Sequence, residues 1–126
     1  MQDRFKYRAW DKENKKYIYG VEKGLQISSA AGGLHVMTLA EIAESNKYDL
    51  EQCTGFKDEK GKLIYEGDIL KGTYYIDNPV IDYYPVEYGE GEWLNGNEGF
   101  PLSAYNTLSV IVGNIHENSE LLEEKK

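Results

Sequence analysis

Gln52-Cys53-Thr54-Gly55-Phe56-Lys57-Asp58-Glu59-Lys60-Gly61-Lys62-Leu63-Ile64-Tyr65-Glu66-Gly67-Asp68-Ile69 lies at the middle of a 126-residue chain. It reads as short strands joined by tight turns. Leu50 to Thr54 enters as a strand. Phe56 to Ile64 has the form of a hairpin, in which Asp58 can start the turn through its side chain and Gly61 can take positive φ without a Cβ clash. Tyr65-Glu66-Gly67-Asp68 is a second tight turn with Gly67 as its left-handed position, and Ile69-Leu70 opens the next strand. A turn ending in Gly-Asp before two aliphatics also occurs in SH3-like small barrels, an analogy of fold that carries no function. The expected class is mainly β: a small, partly open barrel with SH3-like elements.

Toward the N-terminus, Phe5, Tyr7 and Ala9 alternate with Lys6, Arg8 and Trp10, and period two predicts a strand. Asp11 to Lys16 is a polar turn and Tyr17-Ile18-Tyr19 returns, which makes an N-terminal hairpin. Leu25-Gln26-Ile27 predicts a short strand, and Leu34 to Met37 another. Thr38-Leu39-Ala40-Glu41 has capping-box spacing, so one short helix is expected at about 39–46. Toward the C-terminus, Leu108 to Ile115 is the clearest core strand, and a short acidic helix is expected over 119–124. The chain reads as a single domain, 1–126, or as two all-β subdomains of about 1–50 and 51–126.

Hydrophobic residues at 40% and charged residues at 29% place the chain among globular proteins rather than disordered ones. No apolar run approaches a membrane span, and the first residues, MQDRFKYRAW, lack a signal-peptide core. The single cysteine, Cys53, permits no internal disulfide. The expected location is therefore cytoplasmic, with no membrane partner. Charge is uneven: residues 1–62 hold 11 Lys/Arg against 10 Asp/Glu, and residues 63–126 hold 3 against 12. Such a surface repels nucleic acid and favours basic partners.

Metal and phosphate chemistry lack their residue patterns. Cys53, His35 and His116 are too scattered for zinc, and Gly89-Glu90-Gly91-Glu92 is acidic where a phosphate loop needs cations. No catalytic, cofactor or metal residue is assigned, and a non-enzyme is expected. Tyrosine is the compositional outlier, 11 against 3 Phe. Tyr74, Tyr75, Tyr83, Tyr84, Tyr88 and Trp93 lie among Asp77, Asp82, Glu87, Glu90 and Glu92, a candidate interaction surface of aromatic anchors and steering charge. An alternative is nucleic-acid binding through the strand carrying Arg4, Lys6, Arg8 and Trp10, against which the net charge of −8 stands. Self-assembly into a homo-oligomer is a third reading.

Three pieces then combine: Arg8-Ala9-Trp10-Asp11, the central run quoted above, and Val112-Gly113-Asn114-Ile115-His116-Glu117-Asn118. In order and spacing they resemble the YopX family of phage and prophage proteins over nearly the whole chain, with a loose match at 72–106. The resemblance implies a phage-encoded, mostly β protein of unknown function; the acidic, tyrosine-rich surface, taken separately, suggests an accessory factor that binds an unidentified host or phage protein in the bacterial cell. The family brings no catalytic residue. Its shared residues, Trp10, Thr54, Gly55, Asp58, Gly61, Tyr65, Gly67, Asp68, Gly113 and Asn114, read as determinants of fold.

Overall fold

Two short side chains set the geometry of the N-terminal hairpin. In the computed structural model, which describes residues 2–28, 32–74, 80–89, 91–96, 99–104 and 106–123, Asp11 Oδ1 accepts from the backbone N–H groups of Glu13 and Asn14. Its Oδ2 accepts from the Asn14 side-chain amide. The turn so made joins β1 (Tyr7–Asp11) to β2 (Lys16–Tyr19) in the register Trp10↔Tyr17. The strand begins later than the alternation suggests. Gln2–Phe5 forms a 3₁₀ turn, which leaves Phe5 exposed ahead of the sheet.

The chain divides into two compact units, Met1–Cys53 and Thr54–Lys126. In the first, β1 also pairs antiparallel with β5 (Tyr48–Lys57), setting Arg8 across from Glu51. One face of this sheet builds a core of Ala9, Val21, Leu25 and Ile42, with Tyr7, Ile18, Tyr48 and Leu50 around it. A two-stranded ribbon of β3 (Leu25–Ser28) and β4 (Leu34–Met37) leads into helix α1 (Leu39–Glu44). Both halves of the capping box are present: Thr38 accepts from the Glu41 N–H, and the Glu41 carboxylate accepts from the Thr38 N–H. The helix ends before residue 46 because Ser45 turns extended and its hydroxyl accepts from the Lys47 N–H instead.

The second unit holds β6 (Leu63–Tyr65), β7 (Asp68–Tyr74), β8 (Val80–Gly89), β9 (Glu92–Asn95) and β10 (Ser109–Asn114). Four of them form a sheet in the order β10-β7-β8-β9. Its core is Ile64, Leu70, Tyr84, Val86 and Leu102, with Phe56, Trp93, Phe100 and Ile111 packed against it. The buried Tyr84 hydroxyl meets Ser109 Oγ at 2.9 Å. Gly72 leaves the room, since a Cβ there would lie 2.6 Å from that Oγ.

Pro85 interrupts β8 where a proline is least expected, inside a central strand. Residues Val80–Pro85 pair with β7 and residues Val86–Gly89 pair with β9. The proline therefore sits where the strand changes partner, and its missing N–H falls at the end of one ladder. A short C-terminal helix, α2 (Glu120–Glu123), packs beside β8.

Candidate interaction surface

The residues of the central run are engaged by backbone. Asp58 is 5% exposed, with Oδ1 accepting from the N–H groups of Lys60 and Lys62 and Oδ2 from Ile111 of β10. One carboxylate thus shapes its own turn and ties that turn to a strand 53 residues away. Gly61 takes φ 81° within the same turn. Thr54 Oγ1 donates to the Ile64 carbonyl and accepts from the Phe56 N–H, across Gly55 at φ 84°. Asp68 Oδ2 accepts from the Tyr65 N–H at 2.7 Å, which closes the turn holding Gly67 at φ 87°.

The same economy holds at the end of β10. Asn114 Oδ1 accepts from the His116 and Glu117 N–H groups, and its Nδ2 donates to the Glu117 carboxylate. The Asn118 side chain accepts from the Asn114 N–H and lies against Gly113, where a Cβ would stand 2.6 Å from Asn118 Cγ. Trp10 is buried, edge-on to Tyr17 with ring centroids 4.9 Å apart. Each of these residues has an architectural task.

The tyrosine-rich stretch is divided by the pleat. On β8 the even-numbered positions face the core, so Asp82 and Tyr84, expected on the surface, are buried at 6% and 1% exposure. Trp93 is half-buried against the same core, and Tyr88 leans edge-on to it at 4.9 Å from the exposed rim. Tyr83, Glu87 and Glu92 belong to the opposite face, half-buried for the first and exposed for the two acids. Tyr75, Asp77, Glu90 and the side chain of Tyr74 lie outside the described residues.

That outer face holds two residues the sequence reading left out. Ile81 is 61% exposed, and Lys71 stands across from Tyr83 with its Nζ 5.9 Å from the ring centroid. Parity alone could have found Ile81, two residues from Tyr83 and odd where the core positions are even. Further along, Glu87 folds over Gly96, where a Cβ would come within 2.7 Å of its carboxylate. The outer face therefore presents an aliphatic and an aromatic side chain, one cation beside them, and carboxylates toward the β8–β9 hairpin.

The structure covers half of the cationic N-terminal strand's candidate residues. Arg8 and Trp10 are 3% and 6% exposed, because both faces of β1 are covered. Arg8 Nε meets Glu51 Oε1 at 2.8 Å, the guanidinium lies 3.9 Å from the centre of the Tyr17 ring, and the Tyr17 hydroxyl donates to the same carboxylate. Of the four residues, only Arg4 and Lys6 are exposed. Lys6 is held by Asp3 at 3.0 Å, and the hydrogen bond to Asp3 raises its pKa.

His35 bridges to Glu41 at 3.1 Å in the first unit, and His116 lies in the Asn114 turn of the second. Among the described residues no group of three or more His, Cys, Asp or Glu could hold a metal ion, and no helix is long and apolar enough to cross a membrane. The division into units sharpens the charge map. Residues 1–53 carry 8 Lys/Arg and 8 Asp/Glu; residues 54–126 carry 6 and 14.

No curated protein matches the chain. Among solved structures it resembles the crystal structure of protein EF1440 from Enterococcus faecalis, with a TM-score of 0.60 and 23% identity over 93% of this chain and 96% of that one. The likeness supports the β fold. The profile of the YopX protein family matches residues 6–123, nearly the whole length, and the chain belongs to the YopX family.

Proposed function

We propose that this protein is a non-enzymatic accessory factor of a phage or prophage that binds a basic host or phage protein through the outer face of its second unit. The observation behind this reading is the separation of charge by unit, 8 against 8 and 6 against 14, with Ile81 and Tyr83 exposed or half-exposed on the acidic unit. A buried apolar anchor supplies the affinity in such an arrangement, and the surrounding field supplies orientation and on-rate. Exclusion of nucleic acid follows from the same field.

The test is affinity capture of tagged protein from a nuclease-treated lysate of infected bacterial cells, followed by elution with rising salt. A partner of high pI that leaves at moderate salt, and is held less well by the Glu87→Gln/Glu92→Gln variant, is the expected result. Equal retention by that variant at every salt concentration would remove charge from the account.

A further inference from the structure

The first unit carries a surface with a different character. β4 reads Leu34-His35-Val36-Met37, and its first three residues are all exposed, Leu34 at 68% and Val36 at 54%. Register with β3 places Leu34 across from Ser28 and Val36 across from Gln26, so both aliphatics share the outward side of the ribbon. The ribbon has two strands, and among the described residues β4 pairs with β3 alone. Two-stranded ribbons are marginal in water. Of the devices that guard native edge strands, β4 has shortness, at four residues, but no Lys, Pro or bulge.

Charge decides what can pair there. The strand offers no formal charge except that of His35 when protonated, and His35 is already bridged to Glu41. A strongly charged partner finds nothing complementary on it. Two copies of this chain repel through their second units, at 6 Lys/Arg against 14 Asp/Glu each, but not through first units that carry 8 and 8. We infer that β4 pairs antiparallel with β4 of a second copy, joining two ribbons into one of four strands about a two-fold axis. With His35 at the centre of the pairing, Leu34 of one copy stands opposite Val36 of the other, twice. Apolar side chains then cover one another on the outward side. The interface is small, so the association is weak.

Sedimentation equilibrium of the full chain from micromolar to millimolar concentration tests it. The wild type is expected to rise from the mass of one chain toward that of two. Val36→Lys and Leu34→Glu, each on an exposed side chain, are each expected to weaken association by about tenfold, since the two-fold axis repeats every changed pair. The double variant Leu34→Glu/Val36→Lys sets opposite charges across both pairs and is expected to associate more tightly than either single variant. Ile81→Lys, on the other unit, is expected not to weaken association. A wild type that stays monomeric overturns the inference. So do single variants that associate like the wild type, a double variant weaker than both singles, and loss of association in Ile81→Lys.

Discussion

Asp58 accepts three backbone hydrogen bonds from a nearly buried position, so its removal strands three amides at once. Asp58→Ala is expected to lower stability by about 3 kcal/mol or more in urea unfolding, where an exposed acid would give almost nothing. Asp58→Asn keeps one oxygen for the turn but turns an amide toward the Ile111 N–H, with an expected loss of about 2 kcal/mol. At Gly113 the backbone has no need of positive φ; the constraint is the Asn118 side chain lying where a Cβ would go. Gly113→Ala is therefore expected to be destabilising by about 1–3 kcal/mol, and Gly113→Ala/Asn118→Gly to recover part of it. At this scale the sequence was informative. Asp58, Gly61 and Gly67 reveal their roles because turn chemistry is local: a short acceptor beside its own amides, and a residue without Cβ where φ is positive. The tie from Asp58 to Ile111 was hidden, because nothing in either residue's neighbourhood points across 53 positions.

At the scale of elements, alternation in β1 correctly separated Arg8 and Trp10 from Tyr7 and Ala9 but could not say whether one face or both would be covered. Both are, and one of the three cations that suggested a nucleic-acid surface, Arg8, lies in a buried ion pair with Glu51. Glu51→Leu is expected to cost about 3–5 kcal/mol by leaving the Arg8 charge unpaired, while Arg8→Met/Glu51→Leu is expected to fall much closer to wild type; thermal or urea unfolding of the three proteins checks this. Parity likewise moved Tyr84 and Asp82 inward, and the change of partner at Pro85 was invisible because pairing is non-local. The capping box, by contrast, was written in four consecutive residues. In the first unit, hydrogen bonds from the Thr38 backbone and from His35 lower the Glu41 pKa, and the Asn14 side chain and backbone lower that of Asp11. Carboxyls with depressed folded-state pKa values add stability above the unfolded carboxyl range and lose it as pH falls through the folded values. Glu41→Gln and Asp11→Asn should accordingly flatten the acid side of a plot of urea midpoint against pH and lie closest to wild type at the acid end. A slope unchanged in both variants would mean these carboxylates are not coupled to folding.

At the scale of the molecule, charge separates with the two units while the chain as a whole shows only a net −8. Purified protein is expected to give no shift of single- or double-stranded DNA at moderate salt, and its stability is expected to rise with added salt as repulsion within the acidic unit is screened. Asp58, Asp68 and Asn114 maintain turns and strand ends, and under the proposed function recognition belongs to the exposed face of β7 and β8 instead. Comparison of two variants in the same capture experiment tests this division most directly, with circular dichroism and urea unfolding run alongside. Ile81→Asp is expected to unfold at the wild-type urea midpoint and to lose the captured protein. Asp58→Asn, used below its own midpoint, is expected to be less stable and to retain it. The reverse result, with folded Asp58→Asn losing the partner and Ile81→Asp keeping it, would place recognition in the central run and contradict the account.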